Sequence, residues 1–455
     1  MIFHIFNKNA FFVVFTAILA LTATVNAEGT RYKDRLFDVT KESDVTYASK
    51  VPALSSLHSI AKITFNFEDS LFFYTNENDV ELKSMKMDIY SPKGDKEKKR
   101  AAVIVTHGGA MVAGSKSDYK QISITYCDSL AARGFVAASI DHRRGVTLTG
   151  PSNSLRIDSI NFARAVYRGT QDINAAVRYM RKNADKYGID PNRIYLVGNS
   201  SGAILSIENL YTSSEEDFPS YVNNGDVPDL GPLNLYGEQD VNFHANGGVL
   251  LWGATHNPKT INNSKVPVFL IHGTTDPTVP YKTGYPLQNA ESIVKRNIPE
   301  EYAPIAKAIS FKVEAPTLYG SYVIDSILNV NKVEHETYFV TGTSHELYDE
   351  LQFEEPIRTK TFNFLYKLAT SEPVLSIGKH IVTAQASKIQ MQRGNLGFTI
   401  SSGNNLNYTV IDLRGRIAKT GTVSANEVVD LSLLNNGVYV LRVQGERPFR
   451  FGLSK

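Results

Sequence analysis

Cysteine is nearly absent from this chain. Of 455 residues only Cys127 carries a thiol, which excludes an intramolecular disulfide and any multi-thiolate metal site. Charge of one sign is also lacking, with 48 basic residues against 46 acidic ones and a net charge of +2. Such a balance gives no electrostatic footprint for nucleic acid. At 42% hydrophobic and 21% charged residues, whole-chain disorder, a collagen-like repeat and a coiled coil are excluded. Beyond residue 27 no apolar run approaches the ~20 residues that a bilayer span requires. A chain of this length holds about three domains at ~150 residues each, and their stability must come from packed cores.

Residues 1–27 are a different material. Lys8 gives a weakly positive start, Phe11 to Leu21 is apolar, and Val25-Asn26-Ala27 presents small residues where a signal peptidase reads. A membrane anchor is the competing reading, because no charge interrupts Asn9 to Ala27. Its last third, Thr22 to Ala27, is only mildly apolar, which favours a cleaved secretory signal. The mature protein is then expected outside the cytoplasm without a transmembrane span.

The remainder has three textures. Residues 28–83 are mixed and motif-poor, a segment expected to pack on or extend the domain after it. From 84 to 370 short apolar runs alternate with helical patterns. The strand candidates are Met87–Tyr90, Ala102–Thr106, Phe135–Ile140, Ile194–Val197, Val249–Trp252, Val266–Ile271 and Thr337–Val340. Near-continuous apolar runs of this length mark strands buried on both faces. Ile173, Ala176, Val177, Met180 and Ala184 trace one face of an intervening helix. The pattern predicts an α/β domain with a mostly parallel sheet flanked by helices. A linker is expected at 371–387, and 388–455 predicts a small all-β sandwich, from short period-2 runs between Gly, Asn and Ser turns. That last stretch holds nine lysines and arginines against four acids.

Chemistry concentrates at four strand ends. Gly198-Asn199-Ser200-Ser201-Gly202 follows the apolar run Ile194–Val197, the strand-turn-helix setting in which a nucleophilic serine is held on a tight elbow between two glycines. His107-Gly108-Gly109-Ala110 closes an earlier strand, and its amides can turn toward a tetrahedral oxyanion. The predicted donors are the N–H groups of Gly109, Ala110 and Ser201; the plainer alternative is a glycine turn. Asp276, just past Val268–Ile271, is placed to orient an imidazole; its alternative is a turn aspartate before Pro277. His345, on the loop after Thr337–Val340, would serve as general base for Ser200. The order Ser200, Asp276, His345 is the α/β-hydrolase order. Acyl transfer by this route uses no cofactor and no metal. His272 is expected as structural rather than catalytic, His142 as a surface or packing residue with a pocket-lining role as its alternative, and Asp172 as a tie between its helix and a loop. Glu334-His335-Glu336 alternate faces on a strand, which argues against a metal site there.

The residues of 84–368 resemble the carboxylesterase branch of the α/β-hydrolase superfamily, in particular secreted bacterial esterases that deacylate plant polysaccharides. The resemblance rests on Met87-Asp88-Ile89-Tyr90-Ser91-Pro92, His107-Gly108-Gly109, Gly134-Phe135-Val136, Asp141-His142-Arg143, Tyr187 to Ile194, the elbow, and His272-Gly273-Thr274-Thr275-Asp276. His142 stands where the family usually has a tyrosine. The stretch between Asp276 and His345 is longer than usual, and Asn289 to Phe311 is expected as added helix forming a lid. Ser206 to Asn246 is expected to wall the acyl pocket, with Tyr211, Phe218, Tyr221 and Tyr236 as its aromatics.

The tail, in Tyr408 to Arg416 and Leu434 to Val443 with a basic end, resembles the C-terminal sorting domain of the type IX secretion system. That resemblance implies the secretion machinery as partner and release from, or attachment to, the surface of a Gram-negative cell. A carbohydrate-binding sandwich is the rival, with Tyr408, Tyr439, Phe398, Phe449 and Phe451 available to stack on sugar. The expected activity is a secreted serine esterase acting on a small ester or an acylated polysaccharide, with acetyl or feruloyl esters foremost. The alternatives are a serine peptidase of the same fold and a non-catalytic surface adhesin.

Overall fold

The computed structural model describes residues 29–453 apart from 60–70, 119–121, 152, 224–226, 263, 298–303, 305–309, 343, 374–388, 392–395, 402–404, 445 and 447. The expected signal and most of the expected linker lie outside the described residues.

The apolar runs become strands of one eight-stranded sheet. They are β1 (Val39–Leu54), β2 (Val80–Pro92), β3 (Arg100–Thr106), β4 (Val136–Ile140), β5 (Ile189–Asn199), β6 (Gly248–Leu251), β7 (Val268–Gly273) and β8 (His335–Val340). Their order is β1-β2-β4-β3-β5-β6-β7-β8. β2 runs antiparallel to β1 and to β4, while the other neighbours pair in parallel. This is the α/β-hydrolase arrangement. Alternate residues of β3 serve opposite faces. Ala102 and Ile104 join α2 (Ser159–Lys182), α3 (Ser201–Tyr211) and α5 (Ser321–Val330) in one core. Val103 and Val105 join α1 (Ser123–Ala132) and α6 (Leu351–Thr370) in the other. Cys127 lies buried in that second core. Strand order reverses at β3, with β4 on one side and β5 on the other, so the loops leaving their carboxyl ends part to form a crevice.

The segment 28–83 supplies the sheet's edge. β1 pairs with β2 over most of its length, but three register shifts interrupt the ladder and its inward face alternates irregularly. A bulged edge strand of this kind has no clean two-residue period, which is why the region looks motif-poor.

α2 departs from the simple amphipathic reading. Its apolar face is buried as expected, but so are Arg164, Arg168 and Arg178. Arg164 and Arg178 gather parts of the chain after α3. Arg164 donates to the carbonyls of Val222 and Pro228, and Arg178 to those of Asn234, Tyr236 and Glu238. Arg181, at the end of the helix, donates to the carbonyls of Asn242 and His244. Burial lowers Arg178 and Arg181 to about 10, with Arg450 adding to the effect on Arg178 and Glu238 opposing it, and both stay charged at neutral pH. Asp172 accepts from the backbone and side chain of Arg143, tying α2 to the loop after β4.

The tail forms two small sheets. One is β9 (Ile389–Met391), β10 (Gly397–Ile400) and β13 (Val429–Asp430); the other, in spatial order, is β12 (Ile417–Val423), β11 (Leu406–Asp412), β14 (Gly437–Val443) and β15 (Phe449–Leu453). Val410 and Leu441 point into the module's own core, whereas their neighbours Ile411 and Val440 are buried in the large core shared with α2 and α3. Arg442 pairs with Asp229 at 2.7 Å and Arg450 donates to the Leu235 carbonyl at 2.9 Å. Gly415, at φ +76°, presses its backbone so closely on Asp229 that a Cβ would overlap the Asp229 main chain.

Glu77 generates a stability prediction. It is buried between Arg164 at 2.7 Å and Arg168 at 2.6 Å. Burial opposes its charge, but the two guanidiniums outweigh that and hold the carboxyl at about 2. Replacing it by glutamine strands two buried cations, a change worth roughly 3–5 kcal/mol. Urea unfolding of Glu77→Gln is expected to show a loss of that size at neutral pH, whereas an unchanged midpoint would contradict the arrangement.

Candidate active site

The elbow is built by steric exclusion. β5 ends at Asn199, α3 begins at Ser201, and Ser200 between them takes φ +53° and ψ −121°, a conformation that costs an L-residue about 1–3 kcal/mol. A Cβ on Gly198 would strike the Gly202 carbonyl, and one on Gly202 would strike the carbonyls of Thr106 and His107. Glycine at both positions lets the turn close and lets it lie against the end of β3. The Ser200 amide donates to the Leu251 carbonyl at 2.9 Å, fixing the turn to β6.

Three side chains meet there. His345 Nε2 stands 2.8 Å from Ser200 Oγ, and His345 Nδ1 stands 2.7 Å from Asp276 Oδ2. Ser200 and His345 are separated by 145 residues, Asp276 and His345 by 69. The Asp276 side chain is fully buried. Burial opposes its ionisation, but hydrogen bonds from His272 and His345 prevail and hold the carboxyl well below the usual range. Its Oδ1 also accepts the amides of Thr278 at 2.7 Å and Val279 at 3.0 Å. The group is therefore an anion at every pH near neutrality, as an imidazole orienter needs to be.

The loop after β3 lies against the elbow and has an unusual backbone. Gly109, Ala110 and Met111 all have positive φ, at +103°, +53° and +64°. Successive residues of this kind make a concave row of N–H groups suited to an anion. The conformation is held by the amides of Val112 and Ala113 on the Gly109 carbonyl and by the Gly145 amide on the Met111 carbonyl. Among the described residues the amides of Gly109 and Ala110 meet no protein acceptor. Ser201 is the first residue of α3, where helical N–H groups have no intrahelical partner and the macrodipole favours negative charge. Gly108 lies against the elbow, its missing Cβ site 3.2 Å from Ser200 Cβ.

Other residues fall into place around this chain. Trp252, the single tryptophan, is buried with its ring 6.3 Å from that of His345 and 5.0 Å from that of Tyr348. The Tyr348 hydroxyl accepts from Asn199 Nδ2 at 2.8 Å. Neither residue stood out in the sequence, since no local pattern announces a ring that packs on an imidazole from another strand. His272 is buried, and its Nε2 reaches Asp276 as well. His335 turns to Asp325, while Glu334 and Glu336 share Lys367. Of the expected lid, α4 (Ala290–Asn297) is described, and Asn289 ahead of it bonds Thr278 beside Asp276. Its far end, Ser310–Val313, pairs in parallel with Ser154–Ile157.

The expected pocket aromatics separate. Tyr236 packs under Arg143, with the guanidinium 5.0 Å from the ring centre, in the body of the core. Phe218 stacks on His256 at 4.4 Å and, with Phe162, Val166, Ile204 and Leu318, lines an apolar cleft beside α3. Ile204 lies one helical turn beyond Ser200.

Where the loop leaves β3, His107 stacks on His142 with ring centres 4.3 Å apart. His107 is fully buried, and burial lowers it from 6.5 to about 4. His142 is pushed down in the same sense, first by burial and then by His107. For His107 the unfolded chain binds the extra proton between these pH values, so stability rises with pH across the window and is lost as pH falls from 6.5 toward 4. The full window is worth about 3 kcal/mol. Urea unfolding at neutral pH and near pH 4 is expected to show a weaker acid loss, by about that amount, in His107→Gln than in the parent; parallel losses in both would contradict it.

Comparison with known proteins agrees with this reading of the fold and extends it to the tail. Residues 87–228 match the family described as BD-FAE, and residues 395–448 match the secretion system C-terminal sorting domain. Esterase LipC of Mycobacterium tuberculosis is 28% identical over 157 residues, covering 34% of this chain and 34% of that protein. Fumonisin B1 esterase of Sphingopyxis macrogoltabida is 29% identical over 119 residues, covering 26% of this chain and 21% of that protein. The chain thus aligns with about a third or less of the length of these relatives. A solved esterase of Thermogutta terrifontis in its propionate-bound form covers 64% of this chain and 92% of its own, at 18% identity and a TM-score of 0.42. The sorting tail indicates a destination outside the cell or on its outer surface. No helix among the described residues is long and apolar enough to cross a membrane. The chain thus carries a sheet with the α/β-hydrolase strand order, in which residues 87–228 are similar to the BD-FAE family, followed by a tail similar over residues 395–448 to secretion-system sorting domains.

Proposed function

We propose that this protein is a secreted serine carboxylesterase, with Ser200, His345 and Asp276 as its triad. His345 Nε2 takes the proton from Ser200 as its oxygen adds to the ester carbonyl. Asp276 keeps the proton of His345 on Nδ1 and stabilises the imidazolium that forms. The Gly109, Ala110 and Ser201 amides receive the oxyanion, a contribution of about 10²–10³ in rate per donor. His345 then protonates the leaving alcohol, and water frees the acyl group by the same steps in reverse. The observation that carries this reading is His345 standing within hydrogen-bond distance of both partners, at 2.8 and 2.7 Å.

Residues 1–27 would be removed on export, the hydrolase unit would run to 370 with 28–83 as its edge, and 388–455 would engage the type IX machinery. The apolar cleft beside α3 is the place for the acyl chain, with Ile204 and Phe218 as its walls. Acetyl or feruloyl esters of plant polysaccharide are the substrates we favour, on the strength of the BD-FAE match and the export signal in the tail.

The parent is expected to hydrolyse short-chain nitrophenyl esters and to be labelled by a fluorophosphonate at Ser200. Ser200→Ala is expected to lose at least about 10³-fold in kcat and all labelling. Full activity in that variant would overturn the assignment. A panel of acetylated and feruloylated xylan fragments beside peptide amides reads the substrate class directly; cleavage of peptides alone would replace esterase by peptidase.

A further inference from the structure

His272 closes β7 four residues ahead of Asp276, is wholly buried, and has no task in the mechanism above. Its Nε2 lies 3.2 Å from Asp276 Oδ2, the same oxygen that accepts from His345, and 3.1 Å from the Val279 carbonyl oxygen. Its Nδ1 lies 2.8 Å from the hydroxyl of Ser321, the buried first residue of α5. These partners determine the tautomer. A carboxylate and a carbonyl only accept, so Nε2 carries the proton. Nδ1 then offers a lone pair, and the Ser321 O–H is the donor that fills it. The other acceptor near Ser321, the Gly253 carbonyl, is at the limit of a hydrogen bond at 3.5 Å.

We propose that His272 is a positioning residue of the triad: its Nε2–H holds the Asp276 carboxylate and shares the charge of the oxygen that faces His345, with Ser321 locking the tautomer required. The proposal rests on the reading of Ser200, His345 and Asp276 as the triad. With His272 in place Asp276 has four donors, which fill the lone-pair directions of a carboxylate. Without it, Oδ2 serves His345 alone. Negative charge then concentrates against that imidazole, His345 holds its proton to higher pH, and the carboxylate is freer to turn. The titratable groups facing His272 are Asp276 on its own loop, Tyr281 with its ring 5.6 Å away, and His345 by way of Asp276. α5 contributes the uncharged Ser321.

The test compares His272→Leu, His272→Gln and Ser321→Ala with the parent, with kcat counted per site titrated by fluorophosphonate so that misfolded protein does not contribute. His272→Leu is expected to lose about tenfold in kcat at unchanged KM, and its acid limb in kcat/KM is expected to move up by about half a pH unit. His272→Gln, whose amide N–H can replace Nε2–H, is expected to recover most of both. Ser321→Ala is expected to move the limb the same way by less, which keeps the test open if the leucine variant does not fold. Trp252 supplies a readout apart from turnover. An imidazolium beside it quenches its emission, and the midpoint of that titration, absent in His345→Gln, is expected to rise in step with the acid limb. Parent-like kcat, limb and Trp252 midpoint in His272→Leu, or a parent-like limb and Trp252 midpoint in Ser321→Ala where the leucine variant is lost, would overturn the proposal. Failure of the parent to label at Ser200 would instead overturn the triad reading, while the Trp252 midpoints would still decide what His272 does to His345.

Discussion

The site depends on how closely two pieces of backbone approach. The end of β3 and the start of α3 touch through carbonyl oxygens at the place where any side chain on Gly202 would stand. That contact puts the loop after β3 and the Ser200 turn side by side, although some ninety residues separate them in sequence. Strain collects there: Ser200, Ala110 and Met111 all hold left-handed φ values, with the Ser200 amide bonded to the end of β6 and the Met111 carbonyl to the Gly145 amide. Sterics position the hydroxyl and the amides, and the imidazole and carboxylate are then brought to a hydroxyl already in place.

Much of this architecture was visible in the residues themselves. The inner strands were legible because burial on both faces leaves long β-branched runs, and the elbow because two glycines flank one serine after such a run. Asp276 and His345 could be found because each sits on a short polar loop directly after a strand. β1 was not legible: its bulges break the two-residue rhythm, and half of its side chains face water. The partnership of His272 with Asp276 was hidden for another reason. A histidine at a strand end looks the same whether its ring meets solvent, a core or a carboxylate, and only the closing of α5 onto β7 shows which.

The tail illustrates how one strand pair can serve two masters. Successive residues of β11 and β14 point to opposite faces, so Val410 and Leu441 build the module's own interior while Ile411 and Val440 are buried against the hydrolase domain. The alternation that announced a sandwich therefore also made a docking face, and two of the module's basic residues, Arg442 and Arg450, are spent on it.

The arginines of α2 have a consequence for life outside a cell. They hold the chain after α3 mainly by donating to main-chain carbonyls, and neither end of such a bond changes protonation between acid and mildly alkaline water. Because the acceptors carry no formal charge, dissolved ions screen these bonds far less than they would an exposed ion pair. The segment flanking the cleft beside α3 is fastened by contacts indifferent to the two solvent variables, acidity and salinity, that a protein with a secretion-sorting tail has no means of controlling.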